Sequence, residues 1–393
     1  MTQAVIVDAV RSPVGRGRPN GALATVHPVE LLAQVLTALV ERNDLDPGLV
    51  EDVIIGCVSQ AGEQATTPGR MAWLAAGYPV EVPSTTIDRR CGSSQQAAHF
   101  AAQGVLAGAY DIVIAGGVES MSQVPLASAR LGKDTFGPSV TTRFAPGLVG
   151  QGISAELVAA KWGQGRERLD AYSVQSHVRA HDAATSGVFA GEITPIRRPD
   201  GQLVTADETI RPDSSLERMA ELPSAFRSEE MTARFPEIEW RITAGNSSSI
   251  ADGASAVLIM SEKRAQELGL RPRARFHSFA VCGDDPVLML TGPIPATQQA
   301  LRKGLLDIGD IGHFEVNEAF APVPLMYAAE FGIDEARLNP LGGAIALGHP
   351  LGSSGTRLIT TMLSGMEATG ERWGLVTMCE GGGMANATII ERL

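Results

Sequence analysis

The stretch from Pro83 to Gly117 constrains the fold of this chain more than any other. Ser84-Thr85-Thr86-Ile87 is β-branched and strand-like, and Arg89-Arg90-Cys91-Gly92-Ser93-Ser94 is a tight corner. Gln95 to Gly108 is an Ala-rich helical run, followed by the strand Asp111-Ile112-Val113-Ile114-Ala115-Gly116-Gly117. Cys91 therefore falls where a strand turns into a helix. Unpaired backbone N–H groups and the positive end of the helix dipole favour thiolate over thiol at such a corner. A cysteine so placed is prepared to act as a nucleophile; the competing reading is a small buried hydrophobe.

The preceding segments extend the alternation. Ala4 to Ala9 reads as a short buried strand, broken by Arg11-Ser12-Pro13-Val14-Gly15. His27-Pro28-Val29-Glu30 opens an amphipathic helix with Leu31, Leu32, Val35, Leu36, Leu39 and Val40 at helical spacing. Val50 to Val58 reads as a strand that carries Cys57 within its apolar run, a structural thiol. Strand and helix in this order predict an α/β fold with a mostly parallel sheet covered on both faces.

At 393 residues and 44% hydrophobic, the chain can bury a sizeable core. Its net charge of −12, with no Lys/Arg-rich block, argues against nucleic acid or an anionic membrane as partner. The start, Met1-Thr2-Gln3-Ala4-Val5-Ile6-Val7-Asp8, lacks a basic segment before a long apolar core, and no apolar run approaches the ~20 residues that span a bilayer. A cytoplasmic protein is expected. Cys57, Cys91, Cys282 and Cys379 are far apart without CxxC or Cys/His spacing, which predicts free thiols and no metal.

After Glu119-Ser120-Met121-Ser122 the chain becomes loop-rich to about Ile250, with helical pieces at 153–161 and 168–184. Its apolar periodicity marks it as an insertion that covers the mouth of the sheet. Phe235-Pro236-Glu237-Ile238-Glu239-Trp240 within it has no evident role. Thr243 to Gly253 is a small-residue turn that admits close approach of a ligand to backbone, and it leads into a strand at Ala256-Val257-Leu258-Ile259-Met260. A second α/β unit begins near Pro272. Gly352-Ser353-Ser354, a helix and a strand ending near Gly381-Gly382-Gly383 repeat the pattern of Gly92-Ser93-Ser94, helix and Ala115-Gly116-Gly117. The expected division is residues 1–120 with 251–271 as one half, 121–250 as the loop domain, and 272–393 as the other half. Two packed copies bring Cys91, His349 and Cys379 to one crevice beyond the strand ends.

Five motifs now carry a resemblance: Arg90-Cys91-Gly92-Ser93-Ser94, Gly245-Asn246-Ser247-Ser248, Asn317-Glu318-Ala319-Phe320, the run Gly342 to Gly352, and Cys379-Glu380-Gly381-Gly382-Gly383. In kind and order the chain resembles the thiolases, the acyl-CoA C-acyltransferases, over nearly its whole length. The resemblance implies a layered α-β-α-β-α fold of two duplicated halves with a loop-domain insertion. It implies Cys91 as the acylated nucleophile, His349 as its base, and Cys379 as the second acid/base thiol. One oxyanion hole would consist of His349 and a water held by Asn317, the other of the backbone N–H groups of Cys91 and Gly381. Ser248 matches a serine against the pantetheine arm and Ala319-Phe320 lines the tunnel, with Ala244, Phe226 and Gln151 also along the acyl-CoA. Coenzyme A enters as substrate and no cofactor is implied; a homodimer or homotetramer is expected.

The chain also departs from the family pattern. Gly150-Gln151-Gly152 stands where many short-chain members have His-Met-Gly, which predicts a roomier or more polar acyl pocket. Leu341 in Asn339-Pro340-Leu341-Gly342-Gly343 resembles the degradative 3-ketoacyl-CoA thiolases more than the biosynthetic acetoacetyl-CoA ones. Glu380 replaces a small or aliphatic residue, the segment 227–242 is long, and an arginine is missing ahead of Pro223-Ser224-Ala225-Phe226. A ketoacyl synthase would not carry Cys379, and a non-catalytic acyl-CoA or lipid carrier would have lost one of Cys91, Asn317, His349 and Cys379.

Overall fold

The computed structural model describes residues 2–393. Its first half contains β1 (Ala4–Arg11), α1 (Pro28–Arg42), β2 (Asp52–Gly56), α2 (Pro68–Ala75), β3 (Ser84–Ile87), α3 (Ser93–Leu106) and β4 (Ile112–Ser120). The insertion supplies α4 (Gln151–Lys161) and α5 (Arg166–Thr185), and the chain returns through β5 (Ala251–Ser261). The second half contains β6 (Ala274–Gly283), α6 (Pro293–Gly304), β7 (His313–Val316), α7 (Pro322–Phe331), α8 (Ser354–Thr369), β8 (Trp373–Glu380) and β9 (Met384–Arg392). The apolar residues read at helical spacing in α1 are its buried face, and the His27 ring caps the helix by accepting from the Val29 N–H.

The strands lie in the order β7-β8-β9-β6-β1-β5-β4-β2-β3. The first strand of each half, β1 and β6, meet at the seam through Val5 with Arg275 and Ile6 with Ala274. Outward from the seam the halves match element by element: β5, β4 and β2 on one side, β9, β8 and β7 on the other. Leu338 bridges Phe314 in parallel where β3 pairs with β2 in the first half. The repeat read from Gly92-Ser93-Ser94 and Gly352-Ser353-Ser354 thus extends through each half.

The sheet is mixed rather than mostly parallel, which corrects the sequence expectation. Only β2 with β3, β2 with β4, and β7 with β8 are parallel. β8 reaches β9 through the tight turn at Gly381-Gly382-Gly383, which forces an antiparallel pair. In the first half β5 takes the equivalent antiparallel place beside β4, with the insertion standing where the turn would be. Two boundaries also move. Cys57 lies just past β2, still buried, and β5 starts at Ala251, so Asp252 and Gly253 pair with Ser120 and Glu119 instead of forming a turn.

Three apolar layers separate the sheet surfaces. Leu31, Leu36 and Leu39 of α1 cover Val53, Ile114 and Leu258. Ala97 and Ala101 of α3 with Leu358 and Met362 of α8 fill the centre, touching Val113 and Val257 of one half and Val376 and Ile390 of the other. Ala296 of α6 and Leu325 and Tyr327 of α7 cover Phe314, Leu375 and Ile389. The result is the α-β-α-β-α arrangement. The insertion packs on the second half, with Ala155, Val158, Leu169 and Tyr172 joining the α7 cluster. Phe235, Ile238 and Trp240 pack with Val149, Ile153 and Leu157, so the aromatic excursion covers one side of α4. Among the described residues no helix is long and apolar enough to cross a membrane.

Candidate active site

The corner between β3 and α3 is tied by its own hydrogen bonds. Gly92 N–H donates to the Arg89 carbonyl at 3.1 Å and Ser93 N–H to the Arg90 carbonyl at 3.1 Å. Ser93 Oγ donates to the Arg90 carbonyl at 2.6 Å and accepts from Arg89 N–H at 2.9 Å. Arg90 takes a left-handed φ of 50°, which swings the chain abruptly into the Gly92 cap. Cys91 is held at the top of this corner and buried.

Burial, and after it the Glu380 charge, pushes the Cys91 thiol from an ordinary 9.0 up to about 12. The Gln151 side chain, the Gly381 N–H and the N–H of Cys91 itself pull in the other direction without reversing the shift. The expectation of a thiolate prepared by the helix N-terminus is therefore overturned: desolvation outweighs those donors, and the resting group is a thiol that needs a base.

His349 is a buried, neutral imidazole. Ser354 Oγ donates its proton to the Pro350 carbonyl at 2.8 Å, so at 2.6 Å it accepts from His349 Nδ1. The ring proton is thereby placed on Nδ1, and Nε2 carries the lone pair. Asn317 Nδ2 faces that lone pair at 3.4 Å. Burial and the Arg357 charge lower His349 from 6.5 to about 3. Asn317 sits at the end of β7, its N–H donating to the Thr377 carbonyl of β8 at 3.1 Å, and its buried Oδ1 has no partner in the protein. That free acceptor fits a residue that holds a water or a polar ligand atom.

Cys379 lies two residues further along β8. Burial pushes its thiol well above its ordinary value, and the charge of Cys91 adds to the shift, so the two thiols sense one another. Gly381 follows; a Cβ there would stand 3.5 Å from Gln151 Nε2, which places the Gln151 amide over the Cys91–Gly381 gap. Cys57, behind the loop that carries His349, is raised by burial and by the charges of Glu119 and Asp88.

The two halves are joined directly behind His349. A Cβ on Gly117 would lie 2.0 Å from the Gly352 carbonyl oxygen, so only glycine lets the His349-Pro350-Leu351-Gly352 loop dock on β4. Glu119 locks the contact, accepting from the N–H groups of Val58 and Ser59 and from that of Gly352. Glu318 does the same for the insertion, accepting from Tyr172 and Ser176 of α5 and from Asn339 and the Ile345 N–H. Ser354, Glu119 and Gln151's place beside the thiol were not singled out as partners of the reacting groups in the sequence. The signal for Ser354 is its position one turn of chain beyond His349; Glu119 had only its place at a buried strand end.

The remaining sequence-predicted residues line one side of this cluster. Ser248 N–H donates to the Ala319 carbonyl at 3.0 Å and Ser247 bridges Phe320, so the 243–250 loop runs antiparallel to Ala319-Phe320. Ala319 and Phe320 are buried and Ala244 is exposed. Phe226 stands edge-on to Phe320 with centroids 6.0 Å apart. Its ring also fills the space over Gly152, where a Cβ would come within 2.4 Å of it. The Cβ direction of Gly150, by contrast, is open.

Two duplicated halves in five layers, with two mutually sensing thiols, a neutral histidine and an Asn-Glu-Ala-Phe corner at their junction, define the class: the chain belongs to the thiolase family. It matches the family models for the thiolase N-terminal domain over residues 4–263 and the thiolase C-terminal domain over residues 270–392. It is 49% identical to the steroid 3-ketoacyl-CoA thiolase of Mycobacterium tuberculosis, covering 100% of this chain and 95% of that one. It is 43% identical to the 3-ketoacyl-CoA thiolase of Photobacterium profundum, covering 100% of both. Among solved structures it is similar to the Bacillus anthracis acetyl-CoA acetyltransferase, with a TM-score of 0.89 and 35% identity over 100% of this chain and 99% of that one.

Proposed function

We propose that this protein is a degradative thiolase that cleaves a 3-ketoacyl-CoA with coenzyme A, giving acetyl-CoA and a shortened acyl-CoA. The observation that carries the reading is the pairing of His349, its Nδ1 against Ser354 Oγ at 2.6 Å and its Nε2 facing Asn317 Nδ2 at 3.4 Å, with Cys379 near enough to Cys91 for the two thiols to feel each other. Cys91 passes its proton to His349 Nε2 and its sulfur attacks the C3 ketone. The oxyanion is met by fixed donors, with the N–H groups of Cys91 and Gly381 forming one hole and His349 with Asn317 the other. The C2–C3 bond breaks, its electron pair forming the acetyl-CoA enolate, which takes a proton from Cys379. Acetyl-CoA leaves, Cys379 as thiolate removes the proton of incoming coenzyme A, and the CoA sulfur attacks the acyl group. Cys91 leaves as thiolate and recovers its proton from His349. The same steps in reverse are a Claisen condensation.

The substrate proposed is bulkier than acetoacetyl-CoA. The open Gly150 side, the polar Gln151 amide, Leu341 and the similarity to a relative named for steroid substrates support this reading. Ser248, Ala244, Ala319, Phe320 and Phe226 are proposed to line the acyl-CoA. The chain is further proposed to work as a cytoplasmic homodimer or homotetramer, divided into the halves 1–120 with 251–271 and 272–393 and the loop domain 121–250.

The test is a peptide map after brief exposure to a 3-ketoacyl-CoA without free coenzyme A, comparing wild type with Cys91→Ala. An acyl adduct on the Cys91 peptide, absent from the variant and discharged by added coenzyme A, is expected. Binding of acyl-CoA without any adduct on Cys91 would overturn the reading in favour of a carrier.

A further inference from the structure

Glu380 is completely buried, and neither carboxyl oxygen has a hydrogen-bond partner in the protein. It does not sit at the periphery. A Cβ on Gly92 would lie 1.9 Å from Glu380 Oε1, so the carboxyl group is in van der Waals contact with the residue that follows Cys91 and caps α3. The N–H groups of Gly92 and Ser93 are already given to the Arg89 and Arg90 carbonyls, and the buried Arg89 Nε, itself without a partner, makes no hydrogen bond to the carboxyl group. An ionised carboxylate with no donor in a dry site is strongly disfavoured, and a neutral carboxyl group much less so.

We propose that the Glu380 carboxyl group, seated against the Cys91-Gly92 backbone, is a charge switch on the nucleophile: protonated, it adds nothing to the cost of ionising Cys91, and ionised, it makes that ionisation harder. Glu380 is thus a positioning residue that acts through Cys91, and the inference rests on Cys91 being the acylated group. The groups whose charge acts on Glu380 are Arg89, which favours its ionised form, and Asp88, which opposes it, both on the loop before α3. The groups that feel its charge are Cys91, Cys379 on its own strand and Cys282 on β6, where Asp284 acts as well. Burial raises Glu380 from 4.5 to about 8.

The sign follows. Below about pH 8 Glu380 is neutral and Glu380→Gln changes nothing electrostatically; above it, the wild-type carboxylate suppresses the Cys91 thiolate and the glutamine does not. The experiment measures the iodoacetamide alkylation rate of the Cys91 peptide from about pH 6 to about pH 10, a readout that needs no thiolase turnover. The ratio of Glu380→Gln to wild type is expected near one at low pH and to rise to about tenfold at high pH, one pKa unit of thiol shift. A ratio that is flat across the range, whether at one or well below it, would overturn the inference. If Glu380→Gln does not fold, the wild-type profile alone decides: a flattening near pH 8 supports the switch and an unbroken rise refutes it. Failure of the acyl-adduct test with a pH-dependent ratio intact would remove the thiolase role of Cys91 and leave the charge coupling, so the two failures are distinguishable.

Discussion

Ser354 decides which nitrogen of His349 is the base. Its hydroxyl donates to the Pro350 carbonyl and accepts from Nδ1, and Nε2, which carries the lone pair, faces Asn317 Nδ2. With Ser354→Ala the ring is free to take the other tautomer, which places a proton where a lone pair is required. Steady-state kinetics should show kcat about tenfold lower with KM changed less than about twofold, since substrate contacts are untouched. Unaltered kcat would mean that another group holds the tautomer. At the same scale Cys91 teaches how opposing terms are weighed. The corner N–H of Cys91 itself does act on the thiol, but burial acts more strongly, with Glu380 adding to it when ionised, and neither is local in sequence.

Elements position these residues by close approach. α4 carries Gln151 towards the thiol while Gly152, the next residue, accepts the Phe226 ring. Phe226 is half-exposed, braced on Phe320 and contributed by an irregular stretch of the insertion, which suits the proposed role of an adjustable wall. Phe226→Ala should open the space over Gly152. The ratio of kcat/KM for a polycyclic or branched 3-ketoacyl-CoA to that for a linear one is expected to rise by about tenfold, the scale of one good apolar pocket contact. An unchanged or lower ratio would show that the acyl group lies elsewhere. The segment 227–242 also packs on α4, through Phe235, Ile238 and Trp240. Such a role is invisible in the sequence, where an aromatic cluster in a loop has no partner named.

At the scale of the whole molecule, α3 and α8 belong to neither half alone. Their apolar residues form one cluster with strands of both halves, and a Cβ on Gly355 of α8 would lie 2.2 Å from the Gln95 nitrogen of α3. Unfolding one half would strip the central layer from the other, so calorimetry at low scan rate is expected to give a single transition. Two resolved transitions would mean that each half keeps a self-sufficient core. By itself the sequence determined the alternation of elements, the repeat, the corner at Cys91 and the motifs that carry the family, because periodicity and turn chemistry are written in neighbouring residues. Only the tertiary structure decided the mixed sheet, the state of the Cys91 thiol, the tautomer of His349, the filling of Gly152 by Phe226 and the place of Glu380. Each of these depends on groups far apart in sequence that folding brings within a few ångströms, where desolvation and charge act with full strength.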